Sequence, residues 1–63
     1  MSGVYPQVTS VLKQHGYTLF RQGKGSHEYW CKDGKNCVNV PRTIQSRHTA
    51  NSIFKQAGIN YKI

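Results

Sequence analysis

The dipeptide Asp33-Gly34 constrains the fold of this chain more than any other feature of its sequence. It separates two short runs rich in aromatic and β-branched residues, at positions 27–32 and 36–40. An Asp-Gly pair between two such runs is a strong signal for a β-hairpin, because both residues tolerate the left-handed backbone of a tight turn. The sequence therefore predicts an antiparallel strand pair at the centre of the chain.

The residues before this hairpin predict one helix and one further strand. Pro6 suits the first turn of a helix near residues 5–15, and Gly16 suits the position just past its end. Apolar side chains recur at helical spacing along it, at Val4, Val8, Val11 and Leu12. Tyr17 to Arg21 then has the composition of a strand, and residues 22–25 form the turn that follows.

The residues after the hairpin predict a second helix. Pro41 ends the sheet, and Ser46 is a suitable N-cap for a helix through Ala57, with Gly58 as its stop. The predicted fold is α+β, an α-β-β-β-α chain that forms one domain over residues 1–63, with both helices on one face of a three-stranded antiparallel sheet. This is the layout of the double-stranded-RNA-binding domain (dsRBD), although a fold alone does not establish a function.

The charge of the chain favours a polyanionic partner. Nine Lys and Arg residues oppose only Glu28 and Asp33, which gives a formal charge of +7. Such a chain attracts nucleic acid and repels copies of itself, so we expect an RNA partner and a monomer when no other protein is bound. A charge that serves only solubility and an acidic protein partner are the alternatives.

Neither a membrane nor a metal is expected. No run approaches the ~20 apolar residues of a membrane span and no leader precedes the first helix, so the sequence predicts a cytoplasmic protein. Cys31 and Cys37 are too few for a disulfide scaffold, and we expect reduced thiols. His27, Glu28 and Asp33 do not make a convincing ligand set, and no cofactor is predicted.

The register of the central hairpin has two alternatives. A two-residue type I′ turn pairs Lys32 with Lys35, and His27 then shares a face with Val38 and Val40. A three-residue loop with a glycine bulge shifts this pairing by one residue.

In the bulged register, Trp30 joins the two valines in the core and His27 points outward. Cys31 then lies opposite Cys37, where the two thiols could be oxidised to a disulfide. We favour this second register, because it buries the tryptophan and leaves His27 accessible to a substrate.

The basic stretch at residues 21–30 places His27 after a glycine turn, at the head of an aromatic strand. Three blocks of the chain resemble, in order, the HicA (YcfA-like) mRNA-interferase toxins: His15-Gly16-Tyr17, residues 21–27, and residues 49–59. Residues 38–41 also look like the third strand of that family. The resemblance implies a small ribosome-independent endoribonuclease with a dsRBD-like fold, one catalytic histidine, and a HicB-like antitoxin that covers this histidine.

The resemblance assigns the catalytic role to His27. A histidine can serve as base or acid when the 2′-hydroxyl of RNA attacks the phosphate, because an imidazole gains and loses its proton near neutral pH. Glu28 departs from the family pattern, and its charge could weaken RNA binding or hold His27 protonated. His15 is expected to be structural, and His48 to lie in the first turn of the second helix.

The residues predicted to bind RNA are basic, belong to the glycine turn, or can stack on a base. They are Arg21, Lys24, Gly25, Ser26, Tyr29, Lys32, Lys35, Arg42, Arg47 and Lys55. The competing hypotheses are a non-catalytic RNA-binding module of dsRBD type and a module that binds only an acidic protein.

Overall fold

A computed structural model of the chain, which describes residues 3–63, contains two helices and three strands in the predicted order. The elements are α1 (Val4–Gln14), β1 (Tyr17–Gln22), β2 (His27–Lys32), β3 (Lys35–Pro41) and α2 (Arg47–Gln56). The strands form one antiparallel sheet in the order β1-β2-β3. The predicted dsRBD-like α+β fold is confirmed.

The helices begin and end where the local sequence predicts. The Ser46 hydroxyl accepts a hydrogen bond from the backbone N–H of His48 at 3.2 Å and so caps the first turn of α2. Gly16 and Gly58 follow the two helices with φ of +90° and +73°, a conformation that costs glycine little. His15 is the exposed C-cap residue of α1 and contributes no side chain to the core.

The core lies between the two helices and one face of the sheet. Its buried members come from all five elements and from two flanking segments: Val8, Val11, Leu12, Tyr17, Trp30, Val38, Val40, Ile44, Ala50, Ile53, Phe54 and Ile59. Full burial of one such aliphatic or aromatic side chain contributes about 1.5 to 3 kcal/mol. The Tyr17 hydroxyl donates to the Ala57 carbonyl at 3.0 Å, so this buried tyrosine is paired and holds β1 to the end of α2. The opposite face of the sheet carries no helix and is called the outer face below.

The hairpin between β2 and β3 combines the two registers that the sequence left open. Asp33 and Gly34, at φ +55° and +70°, form a two-residue turn, and Lys32 pairs with Lys35 as a type I′ turn requires. The register then shifts within the next two residues, where Asn36 has φ +49°. The hairpin thus has the two-residue type I′ turn of one predicted register, followed by the bulge of the other.

Beyond this bulge, the strand faces are those of the register that we favoured. Trp30 pairs with Val38 and Glu28 with Val40, and all four residues are buried. The bulge therefore restores the burial of the tryptophan that an unbroken type I′ hairpin would lose.

The two cysteines form a disulfide in the structure, whereas the sequence predicted reduced thiols. The bulge sets Cys31 opposite Cys37, with their Cα atoms 4.0 Å apart. The register favoured from the sequence placed these two cysteines opposite each other, and this part of the prediction is confirmed. The expectation of reduced thiols was based on composition, which does not encode how close the two sulfurs lie.

Candidate active site

His27 lies exposed on the outer face of the sheet, at the first position of β2. Side chains along a strand alternate between the faces, so Glu28 and Trp30 point into the core, while His27 and Tyr29 point away from it. On β3, Asn39 pairs with Tyr29 and belongs to the same outer face. An imidazole in this position is open to a large ligand such as RNA.

The turn that precedes His27 is held by backbone hydrogen bonds. The Gly23 N–H donates to the His27 carbonyl at 2.9 Å, and the His27 N–H donates to the Lys24 carbonyl at 3.3 Å. The Ser26 carbonyl accepts from the Arg42 N–H at 2.7 Å, which ties the turn to the end of β3. The Gly23 N–H is therefore engaged within the turn and does not donate to an RNA phosphate, although backbone N–H groups of such a turn can bind anions.

Tyr29 is packed between the turn and a cation of β1. A Cβ added to Gly23 would lie 2.7 Å from Cε2 of the Tyr29 ring, so only glycine allows this close approach without a shift. The guanidinium carbon of Arg21 lies 5.3 Å from the centroid of the same ring, within the range of a cation–π contact. Tyr29 is half-buried as a result, and Arg21 lies beside it on the outer face.

Asn39 contacts the candidate catalytic histidine directly. Its side-chain oxygen Oδ1 lies 3.0 Å from Nδ1 of His27. Because His27 pairs with Pro41 in the ladder, Asn39 is its diagonal neighbour, close enough for two side chains of this length to meet. No function was predicted for Asn39 from the sequence, because no local motif indicates that its amide reaches the imidazole of a neighbouring strand.

Glu28 serves the core rather than the site. Its side chain is only 3% exposed, and Oε1 accepts hydrogen bonds from the Tyr5 hydroxyl at 2.6 Å and from Nε1 of Trp30 at 3.0 Å. The pKa of Tyr5 is raised to about 12, first by burial and then by the hydrogen bond and the charge of Glu28. The positive charge of Arg42 lowers this pKa by a smaller amount. The expectation that Glu28 acts on His27 or on RNA is not supported, because the carboxyl points to the opposite face of the sheet.

The structure divides the predicted RNA-binding residues into a group near His27 and a group away from it. By backbone position, the near group lies on the outer face, in the turn or just after β3: Arg21, Lys24, Gly25, Ser26, Tyr29 and Arg42. The charge of Arg42 also acts on Tyr5 of α1, whose pKa it lowers, so its side chain is shared with the helix side of the sheet. Lys32 and Lys35 lie at the other end of the hairpin, five residues or roughly 16 Å along β2. Arg47 and Lys55 belong to α2, which packs on the core face.

Two further findings concern the whole described range. Within residues 3–63, no three His, Cys, Asp or Glu side chains form a group that could hold a metal ion. None of the helices described is long and apolar enough to cross a membrane.

The fold and the site together define a small, basic, dsRBD-like α+β domain with an exposed histidine on the helix-free face of its sheet. Residues 5–59 match the family described as the HicA toxin of bacterial toxin–antitoxin systems. The chain belongs to this HicA toxin family, as its resemblance in sequence predicted. Comparisons with curated proteins and with solved structures found no significant match.

Proposed function

We propose that this HicA-family toxin is a metal-independent endoribonuclease that cleaves mRNA with His27 as its catalytic residue. The observation that carries the proposal is the exposure of His27 on the outer face, which also carries Tyr29 and the Arg21 guanidinium packed on its ring. Both acidic residues of the chain lie elsewhere: Glu28 is buried in the core, and Asp33 is in the distant hairpin turn. The site is therefore cationic as well as accessible.

The chemistry that suits this site is an internal transesterification of RNA. His27 takes the proton of the 2′-hydroxyl, the 2′-oxygen bonds to phosphorus, and the bond from phosphorus to the 5′-oxygen breaks. The protonated imidazole then gives its proton to the departing 5′-oxygen, so one histidine balances both transfers. The products are a 2′,3′-cyclic phosphate and a 5′-hydroxyl end.

The near group of cations supports the charge changes of this reaction. Negative charge accumulates on the phosphoryl oxygens as the pentacoordinate phosphorane forms, and fixed cations stabilise that charge. Arg21 is the best placed of them, because it packs on the ring of Tyr29, which lies two residues from His27 on the same face of β2. We propose that single-stranded RNA crosses the outer face and the turn at residues 23–26, and that an unpaired base stacks near Tyr29.

The proposed protein partner is a HicB-like antitoxin. A toxin with a net charge of +7 is suited to an acidic partner. An antitoxin that covers the outer face would block His27 and neutralise the RNA path at once. Because mRNA is the proposed substrate, the activity would take place in the cytoplasm.

Incubation of the purified chain with single-stranded RNA in EDTA tests the proposal. We expect cleavage with cyclic-phosphate ends, and loss of both cleavage and growth inhibition in His27→Ala. His15→Ala is the matched control, because His15 is also exposed but lies at the end of α1. Full activity of His27→Ala would overturn the catalytic assignment.

The same experiment separates the rival functions. Retention of RNA without cleavage would support the non-catalytic RNA-binding module. If the chain neither binds nor cleaves RNA, the result would support a module that binds only an acidic protein. Antitoxin binding by His27→Ala, with an unchanged melting temperature, shows that the variant is folded.

A further inference from the structure

The side-chain amide of Asn39 is the one protein group hydrogen-bonded to the imidazole of His27 in the described chain. The two residues lie on adjacent strands of the outer face, and both side chains are exposed. The oxygen of the amide, Oδ1, is the atom that faces Nδ1 of the ring, at 3.0 Å. This distance is that of an ordinary N–H···O hydrogen bond.

The polarity of this contact determines the tautomer of the ring. An amide oxygen accepts hydrogen bonds and cannot donate one, so Nδ1 must carry the proton. In the neutral ring, Nε2 then has no proton and presents its lone pair away from Asn39. The opposite tautomer would bring the lone pair of Nδ1 against the lone pairs of Oδ1.

We propose that Asn39 is a positioning residue that holds His27 in the Nδ1–H tautomer, with Nε2 free to accept the proton of the substrate. The inference rests on the proposed function for its catalytic consequence, although the tautomer itself does not depend on it. It explains how a histidine at the exposed end of a strand, with no other side chain bonded to it in the described residues, is oriented for base catalysis.

Asn39 also continues to serve the ring after the proton transfer. Once Nε2 has accepted the proton, Nδ1–H becomes the donor of a cation, and its bond to Oδ1 grows stronger. The same bond therefore orients the base before the transfer and stabilises the acid after it. An amide provides this acceptor without placing a negative charge beside the RNA phosphate.

The tautomer can be measured without any RNA. Long-range ¹H–¹⁵N correlation spectra of the protein labelled at histidine nitrogens, recorded where the ring is neutral, distinguish a protonated Nδ1 from a protonated Nε2. His27→Gln assigns the signals. We expect Nδ1–H in the wild type and in Asn39→Asp, and a shift toward Nε2–H in Asn39→Leu, which has no acceptor.

A predominant Nε2–H form in the wild type would overturn the proposal, as would an unchanged tautomer in Asn39→Leu. Both results stand whether or not the protein cleaves RNA, so failure here is distinguishable from failure of the proposed function. Thr18→Leu, an equivalent change at an exposed residue of β1, is the control for added apolar surface.

If the nuclease activity holds, the kinetics provide a second measurement. Loss of a partner that orients a metal-bound histidine typically costs about tenfold to a hundredfold in activity, and we expect a loss of similar size for His27. We expect Asn39→Leu to lose kcat by such a factor with KM unchanged, and Thr18→Leu to retain both. A rise in KM at constant kcat would assign Asn39 to RNA binding and overturn the positioning role.

Discussion

His27 and Glu28 are neighbours in the chain, and their side chains lie on opposite faces of the sheet. The imidazole is exposed on the outer face, and the carboxyl is buried between Tyr5 and Trp30. The one acidic residue next to the candidate catalytic histidine therefore stabilises the core and leaves the charge of the site positive.

Replacement of Glu28 tests whether the carboxyl stabilises the core and whether its charge affects RNA binding. Glu28→Ala leaves the buried Nε1 of Trp30 and the Tyr5 hydroxyl without their acceptor, and an unpaired buried donor costs about 1 to 3 kcal/mol. We expect a loss of about 2 to 4 kcal/mol in the free energy of unfolding, measured by denaturant titration. Glu28→Gln keeps an acceptor oxygen and should lose less.

The RNA affinity of Glu28→Gln is the accompanying measurement. If the carboxyl repelled RNA, its replacement by a neutral amide would tighten binding. We expect no change at constant salt, because the group points into the core. Tighter binding would show that the charge does reach the outer face.

The Tyr5–Glu28 contact predicts how stability changes at alkaline pH. The pKa of Tyr5 is raised from 10.0 to about 12, first by burial and then by its bond to Glu28. Since the folded state holds the phenolic proton more tightly, the contribution is complete below pH 10 and declines as pH rises toward 12. The difference in unfolding free energy between the wild type and Tyr5→Phe should shrink over this interval. A constant difference would contradict the prediction, and ultraviolet titration of the two proteins follows the ionisation directly.

Gly23 and Gly25 should respond differently to alanine. At Gly23 the new methyl group would lie 2.7 Å from the Tyr29 ring, and overpacking of this kind costs about 1 to 3 kcal/mol. At Gly25 the methyl group meets nothing within 4 Å, but φ of +65° costs an alanine about 1 to 2 kcal/mol.

A double-mutant cycle distinguishes the two causes. In a Tyr29→Ala background, the destabilisation by Gly23→Ala should largely disappear, while that by Gly25→Ala should persist. Equal costs of Gly23→Ala in both backgrounds would show that the ring is not the obstacle.

Arg21 and Lys35 test whether RNA follows the near group of cations. Each substitution to alanine removes one positive charge, but Arg21 is beside the His27 end of the sheet and Lys35 is at the distant turn. We expect Arg21→Ala to weaken RNA binding and to reduce the slope of log K against log salt by about 0.7, the value for one contact with single-stranded nucleic acid. Lys35→Ala should change the RNA affinity and the salt slope less than Arg21→Ala does. A larger effect of Lys35→Ala would show that RNA passes over the hairpin turn.

Much of the fold was predictable because its signals are local. The caps at Ser46, Gly16 and Gly58 act within a few residues of their helices, so the helix positions follow from short stretches of sequence. The hairpin turn at Asp33-Gly34 is equally local. The bulge at Asn36 does not follow from local sequence, because it is stabilised by the burial of Trp30 in the core.

The candidate site was predictable only in part. The glycine turn and the histidine at the head of β2 are visible in sequence, as is the resemblance to the HicA family. The division of the basic residues was not visible, because residues distant in sequence meet only after the sheet and helices pack. Lys32 and Arg42 have the same charge in the sequence, but only Arg42 is tied to the turn before His27.

The sequence by itself determined the five elements, their ends and the position of His27 after the glycine turn, because backbone propensities and capping act over a few residues. Tertiary structure alone decided that Glu28 pairs with Tyr5, 23 residues away, and that His27 meets Asn39, 12 residues away. The first contact also requires α1 to pack on the face of the sheet that carries Glu28, and the second follows from strand register. Burial of the whole core selects both arrangements. That selection makes Glu28 a core residue and leaves His27 exposed.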